Sequence, residues 1–326
     1  MADLRIGVLG AARIAPAALI RPARTTPGVT VAAVAARDPQ RANVFAAKHG
    51  IETVHASYED LLADDSLDAI YNPLPNGLHA RWTLAALAAG KHVLCEKPFT
   101  SNAAQAREVA AAAGELVVME AFHYRYHPMA LRMEEIVHGG ELGDVQRIET
   151  AMCFPLPRFS DIRYNFDLAG GALMDAGCYA VHCLSLLAPD APQVTRARAL
   201  TLKRDPRVDR SMTIDFSFAS GAIGRSKASM WSKIWLDISA RVVGSKGVLS
   251  VTNFAAPQFP YKFMVAVSGN RRRERFSPKP TYAYQLEAFL GAVRGEKTNL
   301  TPPSDSIVTM ELIDAAYLAA GLPLRP

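Results

Sequence analysis

Three side chains that can exchange protons lie close together in the sequence: Asp175, Tyr179 and His182. If this stretch is helical, spacings of four and three residues place all three on one face. A tyrosine with its ordinary pKa of about 10 is a poor base, but a nearby ammonium favours the phenolate and lowers that pKa. Lys97, at the end of a predicted strand, can supply this charge. These residues therefore indicate acid–base chemistry on a hydroxyl group.

The roles of these residues have alternatives. Asp175 lies where the predicted helix begins, so it either orients Lys97 or a substrate hydroxyl, or it caps the helix. His182 either reaches a substrate or is an interior histidine with satisfied hydrogen bonds. The sequence leaves open whether Lys97 or Tyr179 takes the proton. Pro98 predicts a cis peptide bond directly after the lysine.

A second group of residues has the pattern of a dinucleotide site. The turn 10–15 reads Gly-Ala-Ala-Arg-Ile-Ala between a predicted strand and a helix, and an ordinary turn of small residues is the alternative. At the end of the second strand Arg37 follows Ala36, which suits the 2′-phosphate of NADP, whereas NAD sites normally carry an acid there. Asp38 is the competing feature, and helix capping before Pro39 explains it. The sequence predicts NADP in preference to NAD.

The elements that must position these residues follow two patterns. Short apolar runs such as 4–9, 29–36 and 92–96 alternate with helix-like segments, which predicts a parallel sheet covered by helices on both faces. Later strands such as 211–219 alternate apolar and polar residues, which is typical of a half-buried antiparallel sheet. The predicted architecture therefore changes about one third of the way along the sequence.

We expect two domains from these patterns, as a length of 326 residues also suggests. Residues 1–121 are predicted to form a doubly wound dinucleotide-binding domain. Residues 122–326 are predicted to form an α+β domain with a large, mostly antiparallel open sheet. A symmetric homodimer is the commonest way to cover a sheet face that no helix claims, so we expect a homodimer through this sheet.

The composition argues against several classes of protein. The net charge of +5 is mild, and its densest run, 271–275, contains an acid, so we expect a solvated loop or strand edge rather than a nucleic-acid site. No apolar run is long enough to span a membrane and no export signal is visible, so we expect a cytoplasmic protein. Four cysteines without a C-x-x-C pair indicate neither a disulfide scaffold nor a metal site.

Three further stretches resemble one protein family. They read Tyr-Asn-Pro-Leu-Pro-Asn-Gly-Leu-His at 71–79, Glu-Lys-Pro at 96–98 and Gly-Gly-Ala-Leu-Met-Asp-Ala-Gly-Cys-Tyr at 170–179. Together they are similar to the Gfo/Idh/MocA oxidoreductases over nearly the whole chain. Tyr179 and the Met-Glu-Ala-Phe stretch at 119–122 resemble the branch that holds dimeric dihydrodiol dehydrogenase and NADP-dependent D-xylose dehydrogenase.

The resemblance implies a Rossmann domain, a C-terminal sheet often used for dimerisation, and NADP-dependent redox chemistry on a secondary or anomeric alcohol of a sugar or cyclic diol. It carries over Lys97, Asp175 and Tyr179 as catalytic residues. With the motifs above, we expect a cofactor site made of Gly10, Ala12, Arg13, Ile14, Arg37, Pro73, Leu74, Asn76, His79, Glu96 and Lys97. We expect substrate contacts from Arg163, Tyr164, Tyr179 and His182.

Two alternatives stay open at this point. Some relatives in this family regulate rather than catalyse, so a non-catalytic NADP- or sugar-sensing protein is the competing function, although the presence of Lys97 and Tyr179 argues against it. Trp231 and Trp235 form either a stacking wall for a substrate or part of a core or interface.

Overall fold

The computed structural model describes residues 2–326, and its contacts divide them into two units. Unit 1 comprises the chain up to Tyr126 together with Thr281–Ile307, and unit 2 comprises His127–Pro280 together with Val308–Pro326. The chain thus leaves unit 1 five residues later than the expected boundary and returns to it, so the packing units are not two consecutive stretches. The assignment of 1–121 and 122–326 as functional domains stays a prediction.

Unit 1 contains a six-stranded parallel sheet, as its apolar runs predict. Its strands are β1 (Leu4–Leu9), β2 (Val29–Ala35), β3 (Thr53–His55), β4 (Ala69–Asn72), β5 (His92–Cys95) and β6 (Val118–Glu120). They lie in the order β3-β2-β1-β4-β5-β6, and every neighbouring pair is parallel. The order reverses beside β1, which is the switch point of a doubly wound sheet, where ligands bind at the carboxyl ends of strands.

The helices of unit 1 differ in whether a side chain caps their first turn. They are a π-helical turn, Pro16–Ile20, continued by α1 (Arg21–Ala23), and then α2 (Pro39–His49), α3 (Tyr58–Leu62), α4 (His79–Ala88) and α5 (Ala103–Ala112). The side chains of Asp38, Ser57 and Asn102 accept amide hydrogens from the first turns of α2, α3 and α5. α8 (Thr281–Val293) packs into the apolar core of this unit through Leu286 and Phe289.

Unit 2 is built on an eight-stranded sheet. After α6 (Pro128–His138) its elements are β7 (Val145–Cys153), α7 (Cys178–Leu186), β8 (Gln193–Thr201), β9 (Asp209–Ser217), β10 (Ile223–Ser229), β11 (Asp237–Gly244), β12 (Gly247–Thr252), β13 (Lys262–Val267) and β14 (Asn270–Arg273). The order is β14-β13-β12-β11-β7-β10-β9-β8, and only the pair of β7 and β10 is parallel. The prediction of a large, mostly antiparallel sheet is confirmed.

The basic run at 271–275 lies at the edge of this sheet. All four residues of β14 are exposed, and β14 pairs on one side with β13. The interpretation as a solvated strand edge is therefore confirmed. The last helix, α9 (Pro303–Ala319), begins in unit 1 and passes into unit 2 after Ile307. No helix within residues 2–326 has the length and apolar character needed to cross a membrane.

Candidate active site

The turn after β1 has the backbone shape expected of a phosphate-binding turn. Gly10 has a φ of 84°, and its N–H donates to the Ala35 carbonyl over 2.6 Å. The positive φ favours glycine at this position, and a Cβ there would make a tight contact of 3.1 Å with Leu74 Cδ2 in the loop after β4. Ala12 is partly exposed and Arg13 and Ile14 are exposed beside it. The sequence-predicted turn thus faces solvent at the carboxyl edge of the sheet.

Two arginines lie at the carboxyl end of β2. The Asp38 carboxylate accepts amide hydrogens from Gln40 and Arg41, so its role as the cap of α2 is confirmed. Arg37 is exposed, and Arg41 donates through Nη2 to the Ala11 carbonyl over 2.9 Å. The predicted cofactor site did not include Arg41. Its position four residues after Arg37, in the first turn of α2, could have indicated a second cation there.

Tyr58 belongs to the same region of unit 1. Burial raises the pKa of the Tyr58 phenol, and the backbone N–H of Arg37 and the charges of Arg37 and Arg41 act in the opposite direction. A Cβ on Gly10 would lie 3.5 Å from the Tyr58 hydroxyl. The glycine turn, the arginine pair and this phenol therefore lie close together, and no local pattern in the sequence indicated the tyrosine.

His79 connects the loop after β4 with the loop after β5. One ring nitrogen lies 2.7 Å from the Leu74 carbonyl oxygen, and the other lies 2.7 Å from that of Pro98. Burial lowers the pKa of His79 to about 4, although the two carbonyls favour the charged ring. Nearby, Asn72 donates through Nδ2 to the His79 carbonyl over 3.1 Å. Pro73 is buried, whereas Leu74 and Asn76 are partly exposed beside this connection.

The segment after β5 carries Glu96 and Lys97. The Tyr71 hydroxyl donates to Glu96 Oε1 over 2.8 Å, and the peptide bond between Lys97 and Pro98 is cis, as predicted. Burial lowers the pKa of His123 to about 3, and the Lys97 ammonium acts in the same direction. The ammonium thus belongs to an environment of buried polar groups.

Glu120, at the end of β6, is a member of this environment that the site prediction missed. Its Oε1 accepts the N–H of Phe99 over 2.9 Å, two residues beyond Lys97, and its side chain is buried. Burial raises the pKa of Glu120 to about 8, and the Lys97 ammonium opposes that rise. The only signal in the sequence was the Met-Glu-Ala-Phe stretch at 119–122.

In unit 2 the structure joins two of the predicted residues. Arg163 Nε donates to Asp175 Oδ1 over 3.0 Å, and the same guanidinium donates to Asp161 over 3.1 Å. The charge of Asp175 is the largest cause of a raised pKa for Arg163. Asp175 is in the first turn of its helix, but Asp209, and not Asp175, accepts the N–H of Leu173 there. The capping alternative for Asp175 is therefore wrong.

The helix that carries Asp175 and Tyr179 differs from the expected α-helix. Leu173–Gly177 is π-helical, and α7 follows it. The stretch is therefore helical, as the spacing argument required, but its first part is not the α-helix on which that argument places Asp175 and Tyr179 on one face. Gly177 is the last residue of the π-helical turn, and a Cβ there would lie 2.8 Å from Ala228 Cβ on β10. Tyr179 and His182 both lie on α7, and both are buried.

The remaining candidates of unit 2 lie in an aromatic cluster. Tyr164 is buried and donates its hydroxyl to the Leu156 carbonyl over 2.8 Å. The Phe159 ring lies 5.5 Å from the Tyr164 ring and 6.0 Å from the Trp231 ring, and the Trp231 and Trp235 rings are 6.4 Å apart. Trp235 is 67% exposed, so the interpretation that it belongs to a core is wrong. The substrate-binding role of Tyr164 stays a prediction.

Lys97 belongs to unit 1, whereas Asp175, Tyr179 and His182 belong to unit 2. Their joint action is therefore a matter for proposal. All four cysteines are buried and unpaired by disulfides. Across residues 2–326, no three His, Cys, Asp or Glu side chains are grouped so that they could hold a metal ion.

Comparison with known proteins gives matches over almost the whole chain. Residues 4–123 match the family model described as Gfo/Idh/MocA oxidoreductase family, NAD-binding Rossmann fold, and residues 130–250 match the Gfo/Idh/MocA C-terminal domain. D-xylose 1-dehydrogenase (NADP(+)) 2 of Haloferax volcanii is 38% identical over 97% of both chains. Trans-1,2-dihydrobenzene-1,2-diol dehydrogenase of Mus musculus is 34% identical over 70% of this chain and 68% of its own.

A solved structure adds a similarity in three dimensions. A 3-ketoreductase from Actinomadura kijaniata, crystallised with NADP and TDP-benzene, has a TM-score of 0.89 and 28% identity over 97% of this chain and 98% of its own. This similarity extends over both units of the chain.

Proposed function

The chain belongs to the Gfo/Idh/MocA family of oxidoreductases, and from this premise we propose that it is an NADP-dependent enzyme acting on a secondary or anomeric alcohol of a sugar or cyclic diol. NADP, when bound, supplies the group that accepts or donates the hydride. One observation carries the proposal: the carboxyl ends of β1, β2 and β5 bear a positive-φ glycine turn, an arginine pair and Lys97. Relatives named as NADP-dependent or crystallised with NADP support the same cofactor.

The residues of unit 1 fit NADP by their chemistry. Gly10 has a positive φ and lies in the turn between β1 and the following helix, which suits the close approach of a pyrophosphate to the backbone. The Arg37 and Arg41 guanidiniums offer two permanent charges to a 2′-phosphate, and Asp38 is turned to helix capping instead. The rest of the proposed cofactor site is Ala12, Arg13, Ile14, Pro73, Leu74, Asn76, His79, Glu96 and Lys97.

We assign proton movement to Lys97 and Tyr179. The ammonium of Lys97 favours loss of a proton from a hydroxyl group close to it, whether that hydroxyl belongs to the substrate or to Tyr179. Asp175, held by Arg163, orients the reacting hydroxyl in this proposal, and Arg163, Tyr164 and His182 complete the substrate contacts. Which of lysine and tyrosine takes the proton is decided by the variants described in the Discussion.

The direct test is a substrate screen with the purified protein. Pentoses, hexoses and cyclic diols are offered with NADP⁺, and keto-sugars are offered with NADPH, while nicotinamide absorbance is followed. We expect turnover with at least one sugar or diol, and a preference for NADP over NAD. Tight binding of NADP without turnover of any compound would contradict the enzyme proposal and favour the sensing protein.

We also propose that the protein is cytoplasmic and that it forms a homodimer through the sheet of unit 2. α7 packs on β7 and β10 from one face, and Leu200 and Ile223 are about half exposed on the strands of this sheet. The Arg225–Asp215 and Arg241–Glu149 pairs also lie there at the surface. Light scattering at micromolar concentration should give twice the mass of the chain, and a monomeric mass would contradict the proposal.

A further inference from the structure

Asp209, Tyr317 and Arg325 form a fully buried polar cluster in unit 2. Asp209 is the first residue of β9, Tyr317 lies on α9, and Arg325 lies in the segment that follows α9. Arg325 Nη2 donates to Asp209 Oδ1 over 2.8 Å, and the Tyr317 hydroxyl donates to the same oxygen over 3.0 Å. The guanidinium also lies 3.9 Å from the centre of the Tyr317 ring. Buried charges are costly to desolvate, so the hydrogen bonds that this cluster makes with its surroundings decide what it can do.

The cluster is bonded to the glycine turn that precedes the helix of Asp175 and Tyr179. Asp209 Oδ2 accepts the N–H of Leu173 over 2.7 Å, and Arg325 Nε donates to the Gly170 carbonyl over 2.7 Å. Helix N-termini expose amides that have no partner inside the helix, and the N-cap residue Ala172 has no side-chain hydrogen bond to offer. A strand far away in sequence therefore supplies the cap that the helix lacks.

Gly171 makes this close approach possible. Its φ is 143°, a conformation that L side chains rarely adopt. A Cβ at position 171 would overlap Asp209 Oδ1 and would lie 2.8 Å from Arg325 Nη2 and 2.9 Å from the Tyr317 hydroxyl. The buried ion pair thus lies directly against the backbone of the turn.

The same turn is bonded onward to the candidate catalytic carboxylate. The Gly171 carbonyl accepts the N–H of Asp175 over 3.0 Å, and the Gly171 N–H donates to the Arg163 carbonyl over 2.8 Å. The side chain of Arg163 then donates to Asp175 Oδ1. A shift of the turn would therefore move both the backbone of Asp175 and the arginine that holds its side chain.

We propose that Arg325, acting through Asp209 and the Gly170–Gly171 turn, is a positioning residue for the reaction because it sets the placement of Asp175 and Tyr179. The inference rests on the proposed function for the roles of those two residues. Arg325 is bonded to the turn and to Asp209, so it acts on the reaction through them.

Arg325→Lys is the test variant, and the chain offers a matched control in Arg207→Lys. Lysine keeps the charge at position 325, but it has no planar fork that can bond Asp209 and the Gly170 carbonyl together. Arg207 also pairs with an aspartate, donating to Asp205 through Nε and Nη2 over 2.8 Å each. The Arg207 guanidinium lies 4.3 Å from the centre of the Phe166 ring, and the Arg325 guanidinium lies 5.1 Å from the same ring. The pair of Arg207 and Asp205, however, is at the surface.

The first measurement is hydrogen–deuterium exchange of the peptide 170–179, which needs no activity. We expect the amides of Leu173 and Asp175 to exchange at least about 10-fold faster in Arg325→Lys, because their hydrogen bonds are to groups that the cluster holds. Arg207→Lys should exchange as the wild type does. Wild-type exchange in Arg325→Lys would overturn the proposal, whatever the substrate turns out to be.

The second measurement separates positioning from folding. With a substrate found in the screen, kcat per NADP-binding site should fall at least about 10-fold in Arg325→Lys, since a misplacement of about 1 Å costs up to about 100-fold. The Kd for NADP should stay at its wild-type value, and Arg207→Lys should keep the wild-type kcat. A kcat that falls only in proportion to the loss of folded protein, with an unchanged pH profile, would overturn the proposal. A wild type without turnover would contradict the proposed function, and the exchange result would then decide the positioning by itself.

Discussion

Two buried carboxyl groups, one in each unit, hold the segments that lead to the candidate catalytic residues. Glu120 in unit 1 accepts the N–H of Phe99, two residues after Lys97. Asp209 in unit 2 accepts the N–H of Leu173, two residues before Asp175. Each carboxyl therefore satisfies a backbone amide that its own loop or helix leaves without a local partner.

The two groups differ in what surrounds them. Burial raises the pKa of Glu120 to about 8, so this carboxyl is mostly neutral at pH 7. Burial also raises the pKa of Asp209, but the Arg325 guanidinium opposes it, and the partners of its oxygens are the donors Leu173 N, Arg325 Nη2 and Tyr317 Oη. The segment after Lys97 is thus held by a carboxyl group whose charge depends on pH. The segment before Asp175 is held by a buried pair of opposite charges that acts as a unit.

The largest expected effect comes from breaking the pair in unit 2. Asp209→Ala leaves the buried guanidinium of Arg325 without its carboxylate, and removing one partner of a buried pair costs about 3–5 kcal/mol of unfolding free energy. Urea unfolding followed by circular dichroism measures it. Asp205→Ala, which breaks the exposed pair with Arg207, should unfold at nearly the wild-type urea concentration. Equal stability of Asp209→Ala and Asp205→Ala would contradict the expectation that breaking the buried pair costs more unfolding free energy than breaking the exposed one.

The next effect concerns the residues that the two carboxyls hold in place. Lys97→Met and Tyr179→Phe should each lower kcat by at least about 100-fold, the usual scale for loss of an acid–base group, while NADP still binds. If the two residues share one task, the double variant should be little slower than the slower single variant. Near-wild-type turnover of Tyr179→Phe would leave Lys97 as the base, and fully additive losses would show independent roles.

A smaller effect tests whether NADP recognition belongs to unit 1 alone. Arg37→Ala should weaken NADP far more than NAD, because the 2′-phosphate loses a charge-assisted partner worth about 1.5–3 kcal/mol. Arg41→Ala should also weaken the binding of NADP more than the binding of NAD. Fluorescence titration of both cofactors gives the ratio, with Arg207→Lys as a control that leaves it unchanged. Equal losses for NADP and NAD would exclude these arginines as the 2′-phosphate site.

The last effect is the pH dependence that Glu120 gives to stability, which is spread over several pH units. Its folded pKa of about 8 lies above its ordinary value of 4.5, so its contribution to stability is complete below about pH 4.5 and is lost as the pH rises through 8. The unfolding free energy should fall as the pH rises through this window, and Glu120→Gln should remove this slope. Urea unfolding at pH 5, 6.5 and 8 measures the difference. Parallel pH curves for the wild type and Glu120→Gln would contradict the assignment.

Local patterns predicted the elements and several of their details. Asp38 caps its helix as predicted, because a cap depends on amides only two or three residues away. The edge strand Asn270–Arg273 was signalled by its charges, and the glycine turn by the strand before it. Such features are readable because the residues that create them are neighbours in sequence.

Features that depend on distant neighbours were missed or predicted wrongly. The π-helical turn Leu173–Gly177 accompanies the approach of Gly177 to Ala228, and nothing near Asp175 in the sequence announces it. Trp235, for which a place in a core was one alternative, lies exposed in the segment between β10 and β11, outside the strands. These outcomes depend on which surfaces pack together, and pattern alone does not carry that information.

By itself the sequence determined the two kinds of sheet, the glycine turn after β1 and the lysine and tyrosine that we propose for the chemistry, since periodicity and short motifs act over a few residues. Only the tertiary structure decided which buried groups hold those residues. Arg325 and Asp209 are separated by 116 positions, and Glu120 and Phe99 by 21. Such partners meet only when the chain packs, because a buried amide or charge must find its partner wherever the fold brings one.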